Sequence, residues 1–85
     1  MQIATRTEGQ RVIMRLTGRF EFSAHREFRE AVERVMQLDG IADVVIDLMD
    51  VEYVDSSALG MLLMVRERTN SAKLGLILAN PRGMV

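Results

Sequence analysis

No cysteine occurs in the 85 residues, which removes disulfides, thiolate nucleophiles and cysteine-based zinc sites from consideration. A small domain without disulfides is expected in the cytoplasm. Tryptophan is absent too, and the single histidine, His25, excludes a histidine-rich metal centre. Lys73 is the only lysine among eleven cations, which face twelve acids for a formal net charge of −1. The two signs are interspersed, so no basic face for nucleic acid is indicated. The longest apolar run of the second half, Met61 to Val65, is far short of the ~20 residues that cross a bilayer, and the first twenty residues lack the apolar stretch of a signal peptide. What the chain does have is a hydrophobic fraction of 48%, ordinary for a globular protein. Its length is that of one small domain, residues 1–85, which buries roughly 60–65% of its unfolded surface.

Alternation predicts a hairpin, with Gln2 to Thr7 and Arg11 to Thr17 joined around Glu8-Gly9-Gln10 and with Val12, Met14 and Leu16 on one face. Gly18 breaks the pattern, and Ser23 is placed to cap a first helix. From Ala24 to Leu38 the residues Phe28, Ala31, Val32, Val35, Met36 and Leu38 form a stripe at helical spacing, ended by Asp39-Gly40. The β-branched run Val44-Val45-Ile46 reads as a central strand, and Val51 to Val54 as a further short extended segment. A second helix, from Ala58 to about Arg68, is apolar around most of its circumference up to Val65. Leu74, Leu76 and Leu78 alternate as a last strand, followed by a turn at Asn80-Pro81-Arg82-Gly83. The order is β-β-α-β-β-α-β. It predicts an α/β fold: a small mixed sheet of about five strands, N-terminal hairpin included, with the helices packed on one face.

The chemistry concentrates at Asp55-Ser56-Ser57-Ala58-Leu59-Gly60. Two hydroxyls stand where a strand ends and an apolar helix begins, a junction whose free N–H groups and dipole favour an anion. A phosphoserine there would add about −1.5 to −2 charges, beside Asp55. A serine that simply caps the helix fits the same pattern. Hydrolase chemistry is excluded in its usual form, because no Gly-x-Ser-x-Gly elbow is present and His25 is placed in the first helix. Asp43, Asp47, Asp50 and Asp55 are expected at solvated strand ends and turns rather than around a cation. No phosphate-binding glycine loop is present.

The stretch from Val44 to Leu63, VVIDLMDVEYVDSSALGMLL, resembles the phosphorylation-site segment of bacterial anti-sigma factor antagonists, the single-domain members of the STAS fold. Upstream, Leu16-Thr17-Gly18-Arg19-Phe20-Glu21 is similar to the segment that precedes the family's first helix. The resemblance implies a non-enzymatic regulator of transcription that works by partner switching and needs no cofactor. Its unmodified form binds an anti-sigma factor that is also a serine kinase; phosphorylation releases it, and a serine phosphatase resets it. Carried over by position, the phosphoacceptor is Ser56, with Ser57 the alternative and the better helix cap, and Asp55 supports the loop. Ser56, Ser57, Leu59, Met61 and Met64 would meet the partner. No direct contact with nucleic acid or membrane is implied. The alternative is a STAS scaffold module in a larger signalling or lipid-transport assembly, its serine never modified.

Three departures from the family's pattern stand out. Ala58 replaces a glycine, and Glu21 replaces an aspartate, which lengthens the reach of a carboxylate expected to support the phosphosite. Family members also continue past Asn80-Pro81 with a further helix, apparently missing here. A naturally short variant, a truncated chain and self-association over the exposed apolar surface all fit that ending.

Overall fold

A computed structural model of the chain describes residues 1–81. Its elements are β1 (Gln2–Glu8), β2 (Arg11–Phe20), a single 3-10 turn (Phe22–Ala24), α1 (His25–Met36), β3 (Asp43–Val54), α2 (Ser56–Ser71) and β4 (Gly75–Ala79). They form one four-stranded sheet in the order β1-β2-β3-β4. β1 runs antiparallel to β2, and the pairs β2–β3 and β3–β4 are parallel. Each parallel pair is bridged by a helix, the connection that parallel neighbours require. The hairpin closes with Glu8 opposite Arg11, and Gly9 takes the positive φ of +60° that so tight a loop demands.

Alternation on β2 sends Val12, Met14 and Leu16 to one face, where they meet Val44, Ile46 and Leu48 of β3. The stripe Phe28, Ala31, Val32 and Val35 of α1 and the residues Ala58, Met61 and Val65 of α2 close on that same face. Both helices therefore cover one side of the sheet. At the centre the rings of Phe20 and Phe28 lie 5.1 Å apart, tilted at 48°, a favoured aromatic geometry.

Several expectations are corrected. The two extended segments expected at Val44–Ile46 and Val51–Val54 are one strand, β3, so among the described residues the sheet has four strands rather than about five. The reason is a pair of one-residue bulges. Arg15 and Thr17 pair with Asp47 and Asp50, and Gly18 and Arg19 pair with Val51 and Tyr53, so β3 twice carries a residue more than its partner. Each bulge breaks the alternation and imitates a turn. Asp50 thus lies in the strand. Gly18 does not end β2, because its φ of +102° is accommodated within the ladder up to Phe20. Ser23 lies in the 3-10 turn and does not cap α1, whose N-cap is Ala24. α1 ends at Met36, leaving Leu38 exposed. α2 is not buried around most of its circumference, since Leu59 and Leu63 face away from both sheet and α1. In the turn expected at Asn80-Pro81-Arg82-Gly83, Arg82 and Gly83 lie outside the described residues.

The end of α2 carries a test of its own. Leu74 N–H donates to Thr69 C=O at 2.8 Å and Lys73 N–H to Asn70 C=O at 3.1 Å, the two bonds of a Schellman cap. Its left-handed position is filled by Lys73, with φ of +60°, where a side chain is strained. Lys73→Gly is expected to stabilise the chain by about 0.5–1 kcal/mol, read as a higher urea midpoint at unchanged slope. A lower midpoint would mean that the lysine side chain contributes more than its backbone strain removes.

Candidate functional site

β3 ends at Val54, and Asp55, still extended with ψ of 178°, turns the chain into α2. Asp55 caps the helix, in place of either serine. Its Oδ1 accepts from Ser57 N–H at 3.0 Å and Ala58 N–H at 3.3 Å, and from the Ser57 hydroxyl at 2.5 Å. Its Oδ2 accepts from Phe22 N–H at 3.2 Å, while Asp55 N–H donates to Phe20 C=O at 3.3 Å. One carboxylate thus ties the start of α2 to the segment after β2. The Ser57 hydroxyl, with these backbone donors, holds the Asp55 carboxyl below its ordinary pKa.

The two serines end up in different states. Ser57 is half-buried and its hydroxyl is committed to Asp55. Ser56, the first residue of α2, is exposed, and its hydroxyl has no hydrogen-bond partner among the described residues. The helix N-terminus, open to an anion in principle, is already served by Asp55.

Of the other residues singled out, Glu21 turns its carboxylate to Arg19, with contacts of 2.9 and 3.1 Å. It neighbours the site through Phe22, the next residue, and bonds neither serine among the described contacts. The Arg19 guanidinium also lies 4.0 Å from the centre of the Tyr53 ring. Leu59 is 63% exposed, whereas Met61 is buried in the core at 4% and Met64 is intermediate. Phe22 is a site residue that no motif in the sequence marks. It is 70% exposed, stacks on His25 at 5.8 Å, and stands directly beside the Asp55 loop. Its signal was an aromatic residue lying outside the helical stripe that begins at Phe28.

On the opposite face of the sheet Asp47 is nearly buried, not a solvated strand end. Its Oδ1 accepts from Asn80 Nδ2 and from Met49 N–H, each at 3.0 Å, and Arg15 lies 3.3 Å from Oδ2. The Asn80 bond, then the Met49 bond, and the Arg15 charge together lower the Asp47 pKa against the opposing effect of burial. For both Asp47 and Asp55 the folded pKa is depressed. Their contributions are therefore present above the unfolded value of about 3.9 and disappear as pH falls through the folded value. Wild-type Tm is expected to drop steeply below about pH 4. Asp47→Asn, which cannot pair with Arg15 as an anion, should have a lower Tm at neutral pH and a flatter acid limb. Parallel acid limbs in a circular-dichroism melting series would remove Asp47 from this account. Among the described residues no group of three or more His, Asp or Glu side chains is placed to hold a metal, and no helix is long and apolar enough to cross a membrane.

Comparison with known proteins gives a consistent picture. The family model described as STAS domain matches residues 2–85. A STAS-domain containing protein of Pseudomonas aeruginosa is 42% identical over 73 residues, covering 86% of this chain and 70% of that protein. The unphosphorylated and phosphorylated forms of the anti-sigma factor antagonist SpoIIAA, the latter from Bacillus, each superpose with a TM-score of 0.79 at 18% identity, over 98% of this chain and 76% of theirs. An anti-sigma factor antagonist from Mycobacterium paratuberculosis gives 0.75 at 20% identity, over 98% and 71%. At these identities the solved structures speak for the fold.

Proposed function

The chain belongs to the STAS-domain family, and on that basis we propose that residues 1–85 act as one anti-sigma factor antagonist domain, switched by phosphorylation of Ser56. In this reading the unmodified chain binds an anti-sigma factor that is also a serine kinase, in the cytoplasm. The kinase brings nucleotide and magnesium, transfers phosphate to the Ser56 hydroxyl and lets go. A serine phosphatase removes the phosphate. The chain itself supplies no catalytic group.

The observation that carries the proposal is the contrast between the two adjacent hydroxyls. Ser56 is exposed and unbonded, while Ser57 is held by Asp55. A phosphoacceptor must be reached by a kinase and must be able to leave its own hydrogen bonds, and only Ser56 meets both conditions here. Asp55 fixes the loop to the segment after β2, so the hydroxyl is presented from a rigid turn.

Incubation with ATP and a lysate of the host, followed by intact-mass measurement and peptide mapping, tests this. One phosphate on Ser56, abolished by Ser56→Ala, is the expected result. Phosphate on Ser57 alone would correct the residue. No phosphate, with the chain held in a large assembly regardless of Ser56 substitution, would replace the switch with a scaffold role.

A further inference from the structure

α1 and α2 do not close on each other along their length. Between them runs a groove of about 480 Å³, walled by Phe22, His25 and Arg29 on one side and by Ser57, Gly60 and Met64 on the other. One end is bounded by the ion pair of Glu33 and Arg68, and the other end, which we take as its mouth, is lined by Phe22, His25 and Ser57, the residue after Ser56.

Two of its residues have no evident role among the described residues. Gly60 lies inside α2, where only proline is a poorer helix former. Neither its backbone nor its packing calls for glycine: its φ is not positive, and a Cβ built there meets nothing within 4 Å. A bare backbone at such a place suits the close approach of another chain. Arg29 joins no ion pair among the described residues. Because Arg68 answers Glu33, the uncompensated permanent charge among the described residues of the groove is that of Arg29. At the mouth, Phe22 offers a large apolar surface to solvent, and aromatic and arginine side chains are the usual anchors of binding energy.

Building on the proposed switch, we propose that this groove seats an acidic segment of the kinase. The segment's backbone crosses α2 at Gly60, a carboxylate pairs with Arg29, and an apolar side chain rests between Phe22 and Met64. This occupant also explains why a phosphate would release it. A dianion on Ser56 stands at the mouth of a groove whose guest is itself negative.

The test uses the purified kinase that phosphorylates Ser56 and asks for effects of opposite sign from one substitution. Gly60→Ala should raise the Tm of the free chain by about 3–6 °C while weakening kinase binding by about tenfold or more. Arg29→Glu should weaken binding by a similar factor, and Arg34→Glu, exposed on α1 but outside the groove, should not. A lower Tm in Gly60→Ala, unchanged binding, or equal losses in the two arginine variants would overturn the groove assignment and leave the Ser56 switch standing. If no kinase binds or modifies the wild-type chain, the switch fails and the groove assignment fails with it.

Discussion

Ser56→Asp should bind the kinase about tenfold or more weakly than wild type, and the phosphorylated chain about 100-fold or more weakly, each tenfold step being about 1.4 kcal/mol. Ser56→Ala should bind like wild type. The large effect expected of the phosphate follows from where it has to stay. Asp55 already accepts from the Ser57 and Ala58 N–H groups and from the Ser57 hydroxyl, so the usual capping donors for an anion at this helix start are taken. A phosphate on Ser56 remains outside, adding about −1.5 to −2 charges beside a carboxylate. A partner pressed over that spot must desolvate both groups without a cation from this loop to pair them. Calorimetric titration of the three Ser56 forms gives the comparison. Tight binding by the phosphorylated chain would sink the switch.

Phe28→Ala should have the largest effect on stability, a loss of about 3–5 kcal/mol. A chain of this length has roughly 4–13 kcal/mol in total, so the variant is expected to be largely unfolded in moderate urea or at elevated temperature. Phe28 is fully buried from α1 against Phe20 of β2, and its removal opens a cavity where helix, sheet and the start of the site segment meet. Phe22→Ala, only six residues away, should change the unfolding free energy by about 0.5 kcal/mol or less, leaving the urea midpoint nearly where it is, because that ring is mostly in solvent. Similar losses in the two variants would contradict the burial assigned to them.

Much of this was legible in the residues because the patterns were local. The stripe on α1, the alternation of Val12, Met14 and Leu16, and the Asp-Ser-Ser junction each declare a period or a motif within a few positions. What did not show were effects that depend on a neighbour distant in sequence. The continuity of β3 is set by its pairing with β2, and that pairing absorbs two surplus residues which look like loop in the sequence. Asp47 looked like a solvated strand end because its partners, Arg15 and Asn80, are each more than thirty residues away. The cap formed by Asp55 is local, made with Ser57 and Ala58 two and three residues on. Aspartate ranks with serine as a helix cap, so the motif alone leaves the choice between them open; the tie from Asp55 to the Phe22 N–H is the long-range part. The exposed flank of α2 does not show in the sequence for a related reason: an apolar helix reads as buried all round, whereas one sheet and one helix cover only part of it.

The two bulges of β3 have a consequence that is a matter of odd and even. After the first surplus residue, inner and outer positions exchange, which is how Val51 comes to be buried; after the second, at Glu52, they exchange back. Deleting one codon at Glu52 would leave an odd count. Every later position of the strand would then be presented on the wrong side, and Asp55 would be turned away from Phe22. Deleting one residue from each bulge restores the even count, so such a double deletion should keep more of the Asp55 cap than the single one. The reading frame of the strand, in this geometric sense, is what delivers Ser56 to the surface.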